Sequence, residues 1–179
     1  MGGLRRLDEV LQDRFNRVCA HLEHQARPAL QGENLPTDMR TADGVACRYR
    51  TYADDGELLT CAVGSFIPPH LYNQRMEGVG VVGIVDEEKK FGVHEIITGY
   101  PFPYAHSDRP TENVLGLLTK LQRVHDNPGS WIHQYKPLGL SARGKQSLDM
   151  IADSYKLKRY EFKQVDLSTS LSMAVSSDL

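Results

Sequence analysis

The sequence predicts an α+β fold, with two or three helices packed on antiparallel β-hairpins in a single domain. Three observations predict it. Apolar residues recur at steps of three and four in two long segments, Leu4 to Arg27 and Thr111 to Asp126, which is the spacing of one buried helix face. Between them, aromatic and β-branched residues lie on both sides of Asp54-Asp55-Gly56, the composition of two strands joined by a tight turn. Helices and strands do not alternate as a doubly wound parallel sheet requires.

In the first helix, Leu4, Leu7, Leu11, Phe15, Val18 and Leu22 form the apolar stripe. Asp8 and Glu9 lie early, where the helix dipole favours anions, and Pro28 ends the element. Cys19 falls on or beside the stripe and reads as a buried structural thiol. His21 and His24 read as part of a solvated face, because a metal pair needs further ligands and this segment offers none. Ala29 to Val45 carries turn residues without periodicity and reads as a loop.

The chemically densest stretch runs from Cys47 to Gly78, CRYRTYADDGELLTCAVGSFIPPHLYNQRMEG. Tyr49, Thr51 and Tyr52 suit a strand, Asp54-Asp55-Gly56 a turn, and Leu58 to Val63 the returning strand. Two registers are open. A two-residue Asp55-Gly56 turn pairs Arg50 with Cys61 and places the Cys47 and Cys61 thiols on opposite faces. A three-residue turn with Gly56 as a bulge pairs Tyr49 with Cys61 and places the thiols diagonally on one face. Ala62 to Ile67 reads as a buried crossing. Pro68 or Pro69 then opens a short helix with Leu71, Tyr72 and Met76 on one face and Gly78 at its end.

Further on, Val79 to Val85 and Phe91 to Ile97 read as a second hairpin around the charged run 86–90; a helical reading of 80–97 is the alternative, weakened by Gly80, Gly83 and Gly92. His94 and Glu95 would then point to opposite faces. Tyr100 to Pro110 is an aromatic, proline-rich loop suited to a contact surface. His106-Ser107-Asp108 has the residue types of a hydrolytic triad, but triad members converge from separate segments.

Val114, Leu117, Leu118, Leu121 and Val124 form the face of the second long helix. His125 in its last turn suits a protonated ring at the helix dipole. Trp131 is expected to anchor the next segment on the core. Ser141 to Tyr155 reads as a third helix, and Lys156 to Leu167 as a strand with a bulge near Lys163-Gln164. Its Lys156, Lys158, Arg159 and Lys163 read as a solvated face. The domain is expected to span 1–167, with a disordered Ser-rich tail at 168–179.

Cys47-x-Tyr49-Arg50, Asp55-Gly56, Cys61-Ala62-Val63-Gly64-x-x-Ile67-Pro68, Tyr72 and Met76-Glu77-Gly78, with Leu121-Gln122-x-x-His125-Asp126 and Trp131 downstream, resemble a family of small uncharacterised proteins. Tailed phages, prophages and some bacteria encode them. The resemblance covers about half the chain in three pieces. The chain departs from the pattern in a longer 51–57 turn, an insert between Gly78 and Pro110, and an extension after Gly139. The resemblance implies a phage or prophage setting and carries no catalytic residues.

The 179 residues can bury a real core, and a formal net charge of −2 gives no global pull towards nucleic acid. Nothing in the chain is apolar enough over enough length to span a membrane, and the charged N-terminus lacks a signal-peptide core, so a cytoplasmic location is expected, in the host cell if phage-encoded. Three cysteines argue for free thiols. No phosphate-cradling glycine motif, paired CxxC or HExxH is present, and no cofactor or metal is expected. The leading expectation is a non-enzymatic accessory protein that binds a host protein or complex, with Arg48, Arg50, Tyr100, Phe102 and Tyr104 as contact residues. The alternative is a cysteine-dependent enzyme using Cys61, activated by Arg48 or Arg50, with His70 or His125 as base.

Overall fold

Two amphipathic helices set the frame of the computed structural model, which describes residues 5–31, 46–53, 55–86, 88–102, 109–132 and 139–163. Helix α1 (Leu7–Gln25) buries Val10, Leu11, Phe15, Val18, Cys19 and Leu22. It packs along α5 (Arg109–Asp126), which buries Val114, Leu115, Leu117, Leu118, Leu121 and Val124. Each such side chain contributes about 1.5–3 kcal/mol when fully removed from water, so this contact is the main apolar seam. Helix α6 (Ala142–Ser154) packs on α5 through Leu148, Ile151 and Ala152. The Ser141 hydroxyl caps α6 by accepting from the Gly144 amide at 3.1 Å. The fold is α+β, as the sequence predicts.

The strands are short and paired two by two. β1 (Leu30–Gln31) pairs antiparallel with β2 (Ala46–Cys47), so part of the expected 29–45 loop and the Cys47 segment form a ladder of their own. β3 (Arg50–Tyr52) pairs with β4 (Leu58–Thr60) in the register Arg50↔Thr60, Thr51↔Leu59, Tyr52↔Leu58. That register, continued by one residue, sets Tyr49 opposite Cys61 and selects the three-residue turn. Gly56 has φ +82° and donates its amide to the Ala53 carbonyl at 2.9 Å, while the Ala53 amide bonds the Glu57 carbonyl at 2.9 Å. Only a residue at ease with positive φ fits there, which makes Gly56 the bulge. Tyr49, Leu59 and Cys61 face the core. β5 (Trp131–Ile132) pairs with β6 (Gly139–Leu140), and Trp131 is buried as an anchor, its indole N–H donating to the His125 carbonyl at 2.8 Å.

Three sequence expectations are corrected. Residues 79–97 form no hairpin but three short helices, α2 (Val81–Asp86), α3 (Glu88–Phe91) and α4 (His94–Thr98). Val81, Ile84 and Val85 are buried at a helical spacing, and the glycines mostly work as ends: Gly92 and Gly99 adopt φ +63° and +80°. The expected helix after Pro69 is split. Leu71 and Tyr72 bond back to the Pro68 carbonyl, and a separate 3₁₀ turn covers Gln74–Met76. Lys156, at φ +58°, closes the end of α6, and the chain from Leu157 to Lys163 is not a sheet strand but a strap across α1. The Gln12 amide accepts from the Lys158 N–H at 2.8 Å and donates to the Lys158 carbonyl at 3.1 Å. Further along, Glu23 accepts from the Tyr160 hydroxyl at 3.0 Å and the Lys163 amide at 2.5 Å. The remainder of the expected strand and the 168–179 tail lie outside the described residues.

A primary amide presents an N–H donor beside a carbonyl acceptor, as a peptide group does, so Gln12 substitutes for a neighbouring strand. Gln12→Ala is expected to cost about 1–2 kcal/mol. It should also expose the strap, raising tryptic cleavage at Lys158 and Arg159 about tenfold or more in limited proteolysis, with the helices untouched.

Candidate functional site

The motif residues of the central block converge on one another. At the base of the hairpin, the Glu77 carboxylate accepts three hydrogen bonds: from the Tyr49 amide at 3.0 Å, the Arg50 amide at 3.1 Å and the Tyr72 hydroxyl at 2.7 Å. Arg50 donates through Nη2 to the Ile67 carbonyl at 2.6 Å and lies over the Tyr72 ring, 4.6 Å from its centroid. The Tyr49 hydroxyl donates to the Val79 carbonyl at 2.7 Å. Gly64 lies so close to the Tyr49 backbone that a Cβ there would be 2.2 Å from the Tyr49 carbonyl oxygen. Cys-x-Tyr-Arg, Cys-Ala-Val-Gly-x-x-Ile-Pro and Met-Glu-Gly therefore form one junction.

The opposite edge of the hairpin is closed from α1. The Gln25 side chain accepts from the Thr60 amide at 2.8 Å and donates to the Thr60 carbonyl at 3.0 Å. His21 Nε2 lies 3.0 Å from the same carbonyl. Because a carbonyl only accepts, His21 carries its proton on Nε2. Arg27 pairs with Asp55 at 2.9 Å and with Glu57. The outward-pointing backbone groups of Arg50 and Thr60 are thus held by Glu77 and Gln25, which blocks both edges at the base of the hairpin. His21 is half-buried in this contact rather than on a solvated face, whereas His24 is exposed.

The Leu-Gln-x-x-His-Asp motif makes the second junction. Gln122 accepts from the Val63 amide at 3.1 Å and donates to Asp126 at 2.7 Å. His125 is fully buried, and its Nε2 accepts from the Ala29 amide at 3.0 Å. An amide can only donate, so the Nε2 lone pair is engaged and the ring proton sits on Nδ1, which donates to Asp126 at 2.8 Å. His125 is therefore a neutral buried acceptor, not the protonated dipole partner the sequence suggests.

The candidate catalytic residues are not assembled for catalysis. Cys61 is fully buried, with its sulfur accepting from the Gly64 amide at 3.2 Å. His70 is exposed in the turn after Pro69, and the basic lone pair of His125 is committed to Ala29. Of the expected contact residues, Arg48 is half-buried and Arg50 is tied into the Glu77 junction. Tyr100 is a correction: it is 8% exposed and belongs to the core, because the chain turns inward at Gly99 after α4. Phe102 is exposed against the edge of the His94 ring, centroids 5.3 Å apart. Tyr104, the 106–108 run and the Cys47 side chain lie outside the described residues. His94 is buried and Glu95 exposed, so they do not act together. Among the described residues no group of three His, Cys, Asp or Glu side chains is placed to hold a metal, and no helix is long and apolar enough to cross a membrane.

Sequence reading missed Arg14 and Gln25, and names Glu77 only as a motif residue without a role. Arg14 is 4% exposed and donates to the Ile96 and Ile97 carbonyls at 3.1 and 2.8 Å, closing the end of α4. A signal was present: Arg14 lies between Leu11 and Val18, and Gln25 three residues after Leu22, both in the apolar phase of α1. A polar residue in that phase needs a buried partner. Comparison of the chain with protein-family models, curated proteins and solved structures gives no match.

Proposed function

We propose that the protein acts by binding rather than catalysis: a phage- or prophage-encoded accessory protein that engages a host protein or complex in the host cytoplasm, inhibiting a defence system or redirecting host machinery. The resemblance of the central block supplies the setting. One observation carries the binding reading. The reactive groups Cys61 and His125 are spent on internal bonds, while the hairpin presents apolar side chains outward, Tyr52 73% exposed and Leu58 42% exposed, directly opposite each other in the ladder. Tyrosine supplies contact area at low entropy cost, and such exposed anchors are common at interfaces. Asp55 and Glu57 share the single cation Arg27 at the same end, so a basic rim on the partner complements this face.

The test is affinity capture from host lysate with wild type and with Tyr52→Ser/Leu58→Ser. Wild type is expected to retain one dominant protein near stoichiometry, and the double variant to lose it with an unchanged melting temperature. Equal capture by both, or no retained partner at mild salt, contradicts the reading.

A further inference from the structure

We infer that the fold contains an acid-sensitive latch, in which a proton added to His125 Nε2 breaks its bond to the Ala29 amide and loosens the start of β1 from the α1–α5 helix pair. Ala29, which leads into β1, and Thr60 in β4 are each tied to a helix through a histidine ring. The two ties respond to acid differently.

At His125 the only site for an added proton is Nε2, which accepts the Ala29 amide. Once protonated, two donors face each other in a fully buried place and the bond is lost. Asp126 already holds the Nδ1 proton at 2.8 Å with its side chain 25% exposed, so a counter-charge for the imidazolium stands ready. The cost therefore falls on the Ala29 contact. The other groups facing this ring are Gln122 on α5, His21 on α1 and the Trp131 ring, set edge-on at 5.8 Å.

At His21 the Nε2–H bond to Thr60 survives protonation, but burial holds the ring below the ordinary histidine range. The Thr60 carbonyl opposes that shift, and the charges of His125 and His24 reinforce it. The sign follows. His21 binds a proton less readily folded than unfolded, where its value is about 6.5. Its contribution to stability is present above that pH and is lost as the pH falls through it towards the lower folded value. The histidines repel once charged, so the latch is coupled across α1 and α5.

The experiment is residue-resolved amide hydrogen exchange on the full chain from about pH 7.5 to about pH 5, corrected for intrinsic rates. Protection of Ala29 is expected to fall about tenfold or more, the size of one lost hydrogen bond, while Leu118 in α5 stays protected. His125→Gln keeps an acceptor for Ala29 but takes no proton, and should make Ala29 protection independent of pH. His21→Gln keeps the donor to the Thr60 carbonyl and should leave the loss of Ala29 protection in place. Constant Ala29 protection in wild type, or an undiminished response in His125→Gln, overturns the latch. If His125→Gln does not fold, the ¹⁵N imidazole spectrum of wild type decides. An Nδ1–H tautomer that becomes imidazolium as Ala29 protection is lost supports it; an Nε2–H tautomer overturns it.

Discussion

Gly64→Ala is expected to destabilise the protein by at least about 3 kcal/mol, which at this chain length lowers the melting temperature by roughly 6–12 °C. The added Cβ would be 2.2 Å from the Tyr49 carbonyl oxygen and 3.0 Å from its carbonyl carbon. Both are backbone atoms, so no side chain can swing aside. Relief requires moving Tyr49 away from the crossing, which also pulls its amide from Glu77 at 3.0 Å and its hydroxyl from Val79 at 2.7 Å. Gly80→Ala is the matched control. A Cβ there meets nothing within 4 Å and its φ is not positive, so little change is expected. Thermal melts of the two variants side by side check the difference. Equal melting temperatures would show that the Gly64 approach is not tight.

Glu77→Gln is expected to cost about 2–3 kcal/mol despite being nearly isosteric. Glutamate offers only acceptors here, to two amides and one hydroxyl. Glutamine replaces one acceptor oxygen with an NH₂ group, which must face one of those amides donor to donor. Tyr72 does not relieve this by giving up its proton, since burial, the largest influence on its hydroxyl, disfavours the phenolate. Denaturant titration should show the loss, and exchange of the Tyr49 and Arg50 amides should quicken more than that of α5. A variant as stable as wild type would remove Glu77 from the junction.

The long helices were legible because their burial is periodic. Leu11, Phe15, Val18 and Leu22, or Val114, Leu118 and Leu121, announce a face without knowledge of what covers it. The strands were only half legible, because ladders of two or three residues carry little alternation and their edges are completed by side chains. Thr60 is paired by Gln25, 35 residues away in sequence, and Lys158 by Gln12, 146 residues away. Glycine misled the reading of 79–97: Gly80, Gly83 and Gly92 argue against a helix in the sequence, whereas Gly83 lies inside α2 and the positive φ of Gly92 marks an end. The junctions were visible as motifs but not as chemistry. Whether His125 is a base, a cation or a buried acceptor depends on the Ala29 amide, 96 residues away, which no local pattern reveals.

The central claim is that the described motif residues are spent on holding the fold together and that neither Cys61 nor Cys19 is a reactive thiol. Peptide-resolved iodoacetamide labelling of the native protein near neutral pH tests it most directly, with the denatured chain as reference. Cys61 is fully buried against the Gly64 amide, and Cys19 is buried with its thiol pKa pushed well up by desolvation. Both should label at least about a thousandfold more slowly than in the denatured chain, because access requires opening of the core. Labelling of Cys61 in the native protein as fast as in the denatured chain would contradict the account and restore the thiol as a candidate nucleophile.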